Sequence, residues 1–364
     1  MRAWVLDILL SLALILGLTG CDVHEFPQDT DGTVQLHLYL DFDTELPLYK
    51  TINYTRGEEL SGAGIITENH DIRYILQVYR TDNIVGENRI ADTTFVFTKP
   101  DTEELNHQVS IRIKDGKYNI RVWADYVDRG STEDKYYDTS DFAEIILLNK
   151  DEHRGSNEYR DAFKGEIAID TRAAVPQRSF YTEAAMQTTI EMKRPMGKFE
   201  FIATDGDDFV SRIAQLLYEQ ETRNQNEEGR SFEQIVQSID LSQFKVVFRY
   251  NNFMPCSFNM FTNKPADAWS GVSFQSVMKS NGEEHEMSLG YDYVFVGENS
   301  TSLSISVDVY DRNGLLLSSS KPINVPIVRN KLTVVKGNLL ALTNSTGGAV
   351  INPGYDGEDY NMEI

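Results

Sequence analysis

Strict alternation of apolar and polar residues recurs along this chain, and it restricts the fold more than any other feature. Val34, Leu36, Leu38, Leu40 and Phe42 alternate with Gln35, His37, Tyr39 and Asp41. Successive strand side chains point to opposite faces, so this run presents one apolar face to a core and one polar face to water. The same period returns at Tyr118, Ile120, Val122, Ala124 and Tyr126, and again at Leu303, Ile305, Val307 and Val309. Shorter strand-like runs lie at 72–79, 93–98, 109–113, 166–170, 187–192, 198–203, 244–250, 271–274, 286–296, 315–319, 323–326 and 332–340. Turn residues punctuate them about every 8–12 residues, a spacing that points to antiparallel sandwiches.

The pattern predicts an all-β chain of two tandem antiparallel β-sandwich domains. The first covers 33–172 and the second 187–364, divided by a proline-bearing segment without clean periodicity. Asp115-Gly116 predicts a tight hairpin between the flanking strands. Residues 128–165 are charged and tyrosine-rich, and form an excursion with one short strand at 144–148. A short helical insertion in the second domain is expected near 207–222, where Asp205, Asp207 and Asp208 cap its start and Phe209, Ile213, Leu216 and Leu217 share one face. A second short helix fits 232–239. The halves also rhyme: Tyr126-Val127-Asp128-Arg129-Gly130 ends one long strand, and Tyr310-Asp311-Arg312-Asn313-Gly314 ends the other.

The first 20 residues are not part of this pattern. Arg2, an apolar run over 8–18 and the sequence Leu18-Thr19-Gly20-Cys21 make a lipoprotein signal, with cleavage between Gly20 and Cys21. The apolar run is short for a membrane span. Cys21 then carries a diacylglyceryl group on its sulfur and an N-acyl chain, together enough for stable attachment. Polar residues 21–32 form a tether. The signal implies export, with everything after Cys21 outside the inner membrane.

Charge and chemistry narrow the function. The net charge is -22, and removing Arg2 with Asp7 leaves it unchanged. So acidic a chain has no general attraction for nucleic acid or anionic lipid. Cys256 is the only other cysteine, which excludes a disulfide framework and suits a buried small side chain. His24-Glu25 and His285-Glu286 begin like a zinc-protease helix, but Gln28 and Leu289 stand where the second histidine is needed. No G-x-S-x-G elbow, phosphate loop or dinucleotide fingerprint is present. Asp205, Asp207 and Asp208 fit helix capping as well as calcium. Trp123, Tyr126, Tyr136, Tyr137, Trp269, Tyr291 and Tyr293 are the residues from which a sugar-stacking platform would be built. On strands such residues serve equally as core or cross-strand pairs.

The run Ile323-Asn324-Val325-Pro326-Ile327-Val328-Arg329-Asn330-Lys331-Leu332-Thr333-Val334-Val335-Lys336-Gly337-Asn338 resembles the C-terminal signature of fimbrillin-type proteins. The tail from Gly347 to Glu358 and the run Met254-Pro255-Cys256-Ser257-Phe258-Asn259 are similar to theirs too. With the lipid signal, the chain resembles the FimB/Mfa-type fimbrial anchor lipoproteins of Bacteroidales. The signature residues are Pro326, Arg329, Asn330, Thr333 and Gly337. The resemblance implies transthyretin-like sandwiches and a lipid in the outer membrane at the cell surface. It also implies a structural, non-enzymatic role at the fimbrial base, with no cofactor beyond the acyl groups. The partner implied is a fimbrial shaft subunit, held by strand addition at a sheet edge. Stalk subunits of this superfamily resemble one another in being cut after an arginine; Arg56, in the loop after the 34–42 strand, is where such a cut could fall, with an ordinary loop arginine as the favoured alternative. Two alternatives stay open: a cleavable stalk or tip subunit, and a surface glycan-binding lipoprotein of a nutrient-uptake system.

Overall fold

The computed structural model describes residues 33–43, 70–82, 87, 89–101, 105–174, 184–223, 230–280, 286–298, 300–340, 350–353 and 362–363. The first half contains β1 (Thr33–Phe42), β2 (His70–Arg80), β3 (Thr93–Pro100), β4 (His107–Lys114), β5 (Lys117–Asp128), β6 (Tyr137–Asp138), β7 (Ile145–Leu147), β8 (Phe163–Asp170) and β9 (Ala184–Met192). These strands make a three-stranded sheet, β4-β1-β9, over a four-stranded sheet, β3-β2-β5-β8. Val34, Leu36, Leu38, Leu40 and Phe42 are all at most 3 % exposed. The apolar face read from the alternation is therefore the inner face of β1, packed against Tyr74, Leu76, Ile120 and Val122.

The second half begins with β10 (Met196–Ala203), α1 (Gly206–Arg223), α2 (Phe232–Gln237) and β11 (Lys245–Tyr250). Short bridges β12 (Met254–Pro255), β13 (Ser257–Asn259), β14 (Lys264–Pro265) and β15 (Ala268–Trp269) follow. Next come β16 (Ser273–Val277), β17 (Lys279–Ser280), β18 (Met287–Phe295), β19 (Thr301–Tyr310), β20 (Leu316–Ser319), β21 (Ile323–Ile327) and β22 (Leu332–Gly337). The tail adds β23 (Val350–Pro353) and β24 (Met362–Glu363). One sheet runs β17-β18-β10-β22-β23-β24, and the other runs β16-β11-β19-β20 with β21 also on β19.

The two sandwiches repeat one topology. Sheet β4-β1-β9 corresponds strand for strand to β18-β10-β22, and β3-β2-β5-β8 corresponds to β16-β11-β19-β20. The paired endings at Tyr126 and Tyr310 fall at equivalent places, the ends of β5 and β19. Both halves depart from purely antiparallel pairing in the same way. The opening strand of each sandwich lies parallel to a late one, β1 to β9 and β10 to β22.

Three local expectations change. The segment 187–192, read as opening the second sandwich, instead completes the first: β9 pairs with β1 from Val34↔Ala184 to Phe42↔Met192. Ile190 and Met192 join the first core, because an alternating strand can serve either neighbouring layer and local sequence does not say which. Asp115-Gly116 does not close a hairpin, since β4 pairs with β1 while β5 pairs with β2 and β8. The turn carries the chain from one sheet to the other, and Thr171 holds it by donating from its backbone N–H to the Gly116 carbonyl at 2.9 Å. Helix α1 buries Phe209, Ile213 and Ala214, but Leu216 is 49 % exposed and faces outward. Helix α2 carries a capping box between Ser231 and Gln234.

Candidate functional site

The excursion joins the two halves. Strand β7, from the first half, pairs with β13, from the second, through Ser257↔Ile146 and Phe258↔Ile145. Tyr137, Phe142, Ile145 and Leu147 share one buried cluster with Phe258, Phe295 and Leu303. Strand β5 therefore buries both faces. Tyr118, Ile120 and Val122 fill the first core, while Trp123 points the other way into the shared cluster.

Charged groups are buried at this junction. Asp292 of β18 lies 1 % exposed and accepts from Arg160, from Tyr250 Oη at 2.6 Å and from the Tyr293 N–H at 2.8 Å. His153 Nε2 sits 2.7 Å from the same carboxylate. Burial alone would push the Asp292 carboxyl up, but the Arg160 cation and these donors outweigh it and hold the group below its ordinary value. Burial, reinforced by the Arg160 charge, pushes His153 down. Burial beside Asp292 pushes the Tyr250 phenol well up. A second pair joins Arg194 Nε to both Asp161 oxygens at 2.9 Å, with the guanidinium over the Phe163 ring. His153, Arg160 and Asp161 come from the excursion, and Asp292, Tyr250 and Arg194 come from beyond β9. These polar groups are committed to fastening one half to the other.

The signature residues lie at the end of β21, in the turn between β21 and β22 and along β22 itself, and one of them, Asn330, reaches the first half. Arg329 donates to the Val296 carbonyl at 2.8 Å and to the Asn263 side-chain and backbone oxygens at 2.9 and 3.0 Å. Its guanidinium also lies over the Phe258 ring. Burial lowers its pKa from the ordinary arginine value. Asn330 turns the chain with φ at 57°, a left-handed conformation that asparagine tolerates. Its side-chain amide donates to Asp43 at the end of β1, 2.9 Å away. Thr333 Oγ1 donates to the Pro326 carbonyl at 2.6 Å, closing the turn between β21 and β22. Gly337 ends β22 opposite Ala203, and its carbonyl accepts from Thr204. The motif is a family mark in the sequence; in the structure it is Asn330, of its residues, that reaches the exit of β1 at Asp43, while Gly337 stands at the far end of β22. Nothing in the sequence marks the excursion's Arg160, Asp161 and His153, since only their spatial partners set them apart from ordinary surface charge.

Other candidates take different places. Cys21, Gly20, Arg56, His24 and His285 lie outside the described residues. Trp123, Tyr126, Tyr137 and Tyr293 are buried, while Tyr136, Trp269 and Tyr291 are half-buried against the same core, so these aromatics do not assemble an exposed stacking face. Asp205 is buried and accepts from the Leu339 and Leu340 N–H groups at 3.1 and 2.9 Å. Asp207 and Asp208 are exposed in the first turn of α1. Among the described residues, no three acidic, histidine or cysteine side chains gather as a metal site would require. Burial pushes the Cys256 thiol up to about 11, which suits an inert core side chain.

Fold and junction together define a class: a pair of β-sandwiches of the same topology, joined by buried ion pairs and hydrogen bonds between the excursion and the second half. Within that class the chain belongs to a family of unknown function, DUF6562, whose model matches residues 29–364. No curated protein matches it in sequence. Solved structures resemble it loosely. One, described as an adhesin from Bacteroides thetaiotaomicron VPI-5482, is 12 % identical over 90 % of this chain and 97 % of its own, with a TM-score of 0.44. The fimbrial anchor protein Mfa2 from Porphyromonas gingivalis is 9 % identical over 90 % and 99 %, with a TM-score of 0.41. A fimbrial assembly protein from Parabacteroides distasonis ATCC 8503 is 10 % identical over 91 % and 98 %, with a TM-score of 0.38.

Proposed function

We propose that this protein is a lipid-anchored structural component of cell-surface fimbriae, held in the outer membrane through acyl groups on Cys21 and retaining a shaft subunit at the fimbrial base. The observation that carries the reading is the fimbrillin-type signature. Arg329, Asn330 and Thr333 close the second sandwich, and Asn330 reaches Asp43 at the end of the strand that follows the lipid tether. A lipid on Cys21 would thus be tied to both sandwiches through β1. Sheet edges supply the chemistry for a partner. Strands β3 and β16, at equivalent places in the two sandwiches, each have a neighbour on one side only among the described residues. Neither Thr93-Thr94-Phe95-Val96-Phe97-Thr98 nor Ser273-Phe274-Gln275-Ser276-Val277 carries charge; an anchor loaded through both sandwiches would use the second. Such an edge offers unpaired N–H and C=O groups to an added strand.

Detergent extracts tested for co-purification address this reading. A shaft subunit should accompany the wild-type protein, and deletion should lengthen or release fimbriae. Absence of both effects rules the anchor role out. The stalk or tip reading has its own support: Arg56 lies between β1 and β2, so a cut there would leave β1 held by non-covalent contacts alone, namely its pairing with β4 and β9 and its buried face. Mass spectrometry of the mature N-terminus separates the two, since an acylated Cys21 fits the anchor and a start after Arg56 fits the stalk.

A further inference from the structure

We infer that the parallel pairs β1–β9 and β10–β22 are a tandem mechanical clamp, which carries tension between the membrane tether and whatever the second sandwich holds. The load itself rests on the anchoring reading above; the geometry does not. Tension from the tether enters the first sandwich at Thr33, the start of β1, and leaves it at Met192, the end of β9, where the chain passes to β10. The two strands are parallel and paired from Val34↔Ala184 to Phe42↔Met192. Entry and exit therefore lie at opposite ends of one ladder. Pulling them apart slides β1 along β9, so all the interstrand hydrogen bonds resist together. Had the strands been antiparallel, entry and exit would share one end, and the bonds would open one after another.

Strand β1 is also held on its other side, by antiparallel pairing with β4 from Thr33↔Lys114 to Leu40↔His107. Sliding it would drag five apolar side chains, none more than 3 % exposed, through a closed core. Packing beside the clamp is tight: a Cβ on Gly165 would lie 2.6 Å from both Ile190 Cγ2 and Met192 sulfur. The ladder extends one step past β1, where the Asp43 N–H donates to the Met192 carbonyl at 3.0 Å.

The second sandwich repeats the arrangement. Tension entering at Met196 meets β10, which is parallel to β22 from Lys198↔Leu332 to Ala203↔Gly337. Its exit at Gly337 again lies at the far end of the pair. Beyond it, β23 pairs antiparallel with β22, so a pull on the C-terminus would peel the tail first and then load the clamp. The duplicated topology thus puts a shear ladder at each step along the covalent load path.

Single-molecule pulling tests the clamp on a chain beginning at residue 22 and carrying Cys256→Ala, with handles at its two ends. The expected trace has a weak tail event and then two strong ones. The strong events should release roughly 550 Å of contour for 33–192 and roughly 480 Å for 196–337. Moving the first handle to the exposed Asp41, as Asp41→Cys, pulls β1 from the same end as Met192 and turns sliding into peeling. The first-sandwich force should then fall several-fold while the second stays unchanged. Tyr39→Cys provides the same comparison should Asp41→Cys fold poorly, and thermal melts of each variant verify an intact fold. Equal forces from the two attachment points, or strong events no larger than the tail event, overturn the inference. Acylation of Cys21 is measured separately, so a failed anchor reading leaves the force asymmetry standing.

Discussion

Replacing Arg160 with methionine tests the fastening of the two halves most directly. The guanidinium lies between Asp292, His153 and the carbonyl of Tyr293, which it reaches at 3.3 Å. Its side chain and that of Asp292 are 4 % and 1 % exposed. Methionine fills much of the volume but leaves a buried carboxylate with neutral donors only. Removing one member of a buried pair typically costs about 3–5 kcal/mol, because the remaining charge stays desolvated. For a domain of this size that amounts to a fall in melting temperature of roughly 6–20 °C.

The loss should also depend on pH, and its sign is fixed. In the wild type Asp292 is held below its ordinary value of 3.8, so its contribution is present above that value and disappears as pH falls through the lower folded one. Without Arg160, burial dominates and raises the carboxyl instead. The variant then gains relative stability as acid protonates the group, and the gap to the wild type narrows from neutral pH toward 3.8. Urea melts followed by tryptophan fluorescence across that range measure both effects. A loss below about 1 kcal/mol, the scale of an exposed ion pair, would refute the reasoning. So would a loss of constant size at every pH.

Other outcomes follow from the same packing. Asp205→Ala removes the acceptor of two buried N–H groups and should cost about 1–3 kcal/mol, with faster hydrogen exchange at Leu339 and Leu340 as the readout. Gly197→Ala places a Cβ 2.3 Å from the Val328 carbonyl oxygen; overpacking of this kind costs about 1–3 kcal/mol or more, and an unchanged melting temperature would contradict it. Burial lowers Lys198 from 10.5 to about 8. Its contribution to stability is therefore complete above 10.5 and falls away as pH drops through about 8. Lys198→Met should flatten the rise in stability across that window, as pH-dependent melts would reveal.

The sequence by itself determined the strands and their inner faces. Alternation at Val34, Leu36, Leu38, Leu40 and Phe42 fixes which side of β1 is buried, because side-chain direction along a strand depends on nothing beyond the pleat. Local chemistry likewise marked α1 through Asp207 and Asp208 in its first turn, but not the distant Leu339 and Leu340 N–H groups that the Asp205 carboxylate accepts from. The partner of each strand was not legible. The strand ending at Met192 suits either sandwich by its own pattern, and only packing against β1 assigns it to the first. Trp123 alternates out of the first core and looked available to a ligand, until the excursion and second sandwich covered it. Arg160 and Asp292 are 132 positions apart, and nothing local to either announces the other. Arg329 and Asn330 were visible as a motif, yet their work is done on Asn263, Val296 and Asp43. Period and capping are properties of neighbours in the chain, so sequence carries them. Sheet order, parallel pairing and charge burial depend on surfaces brought together from distant segments, and tertiary structure alone decides them.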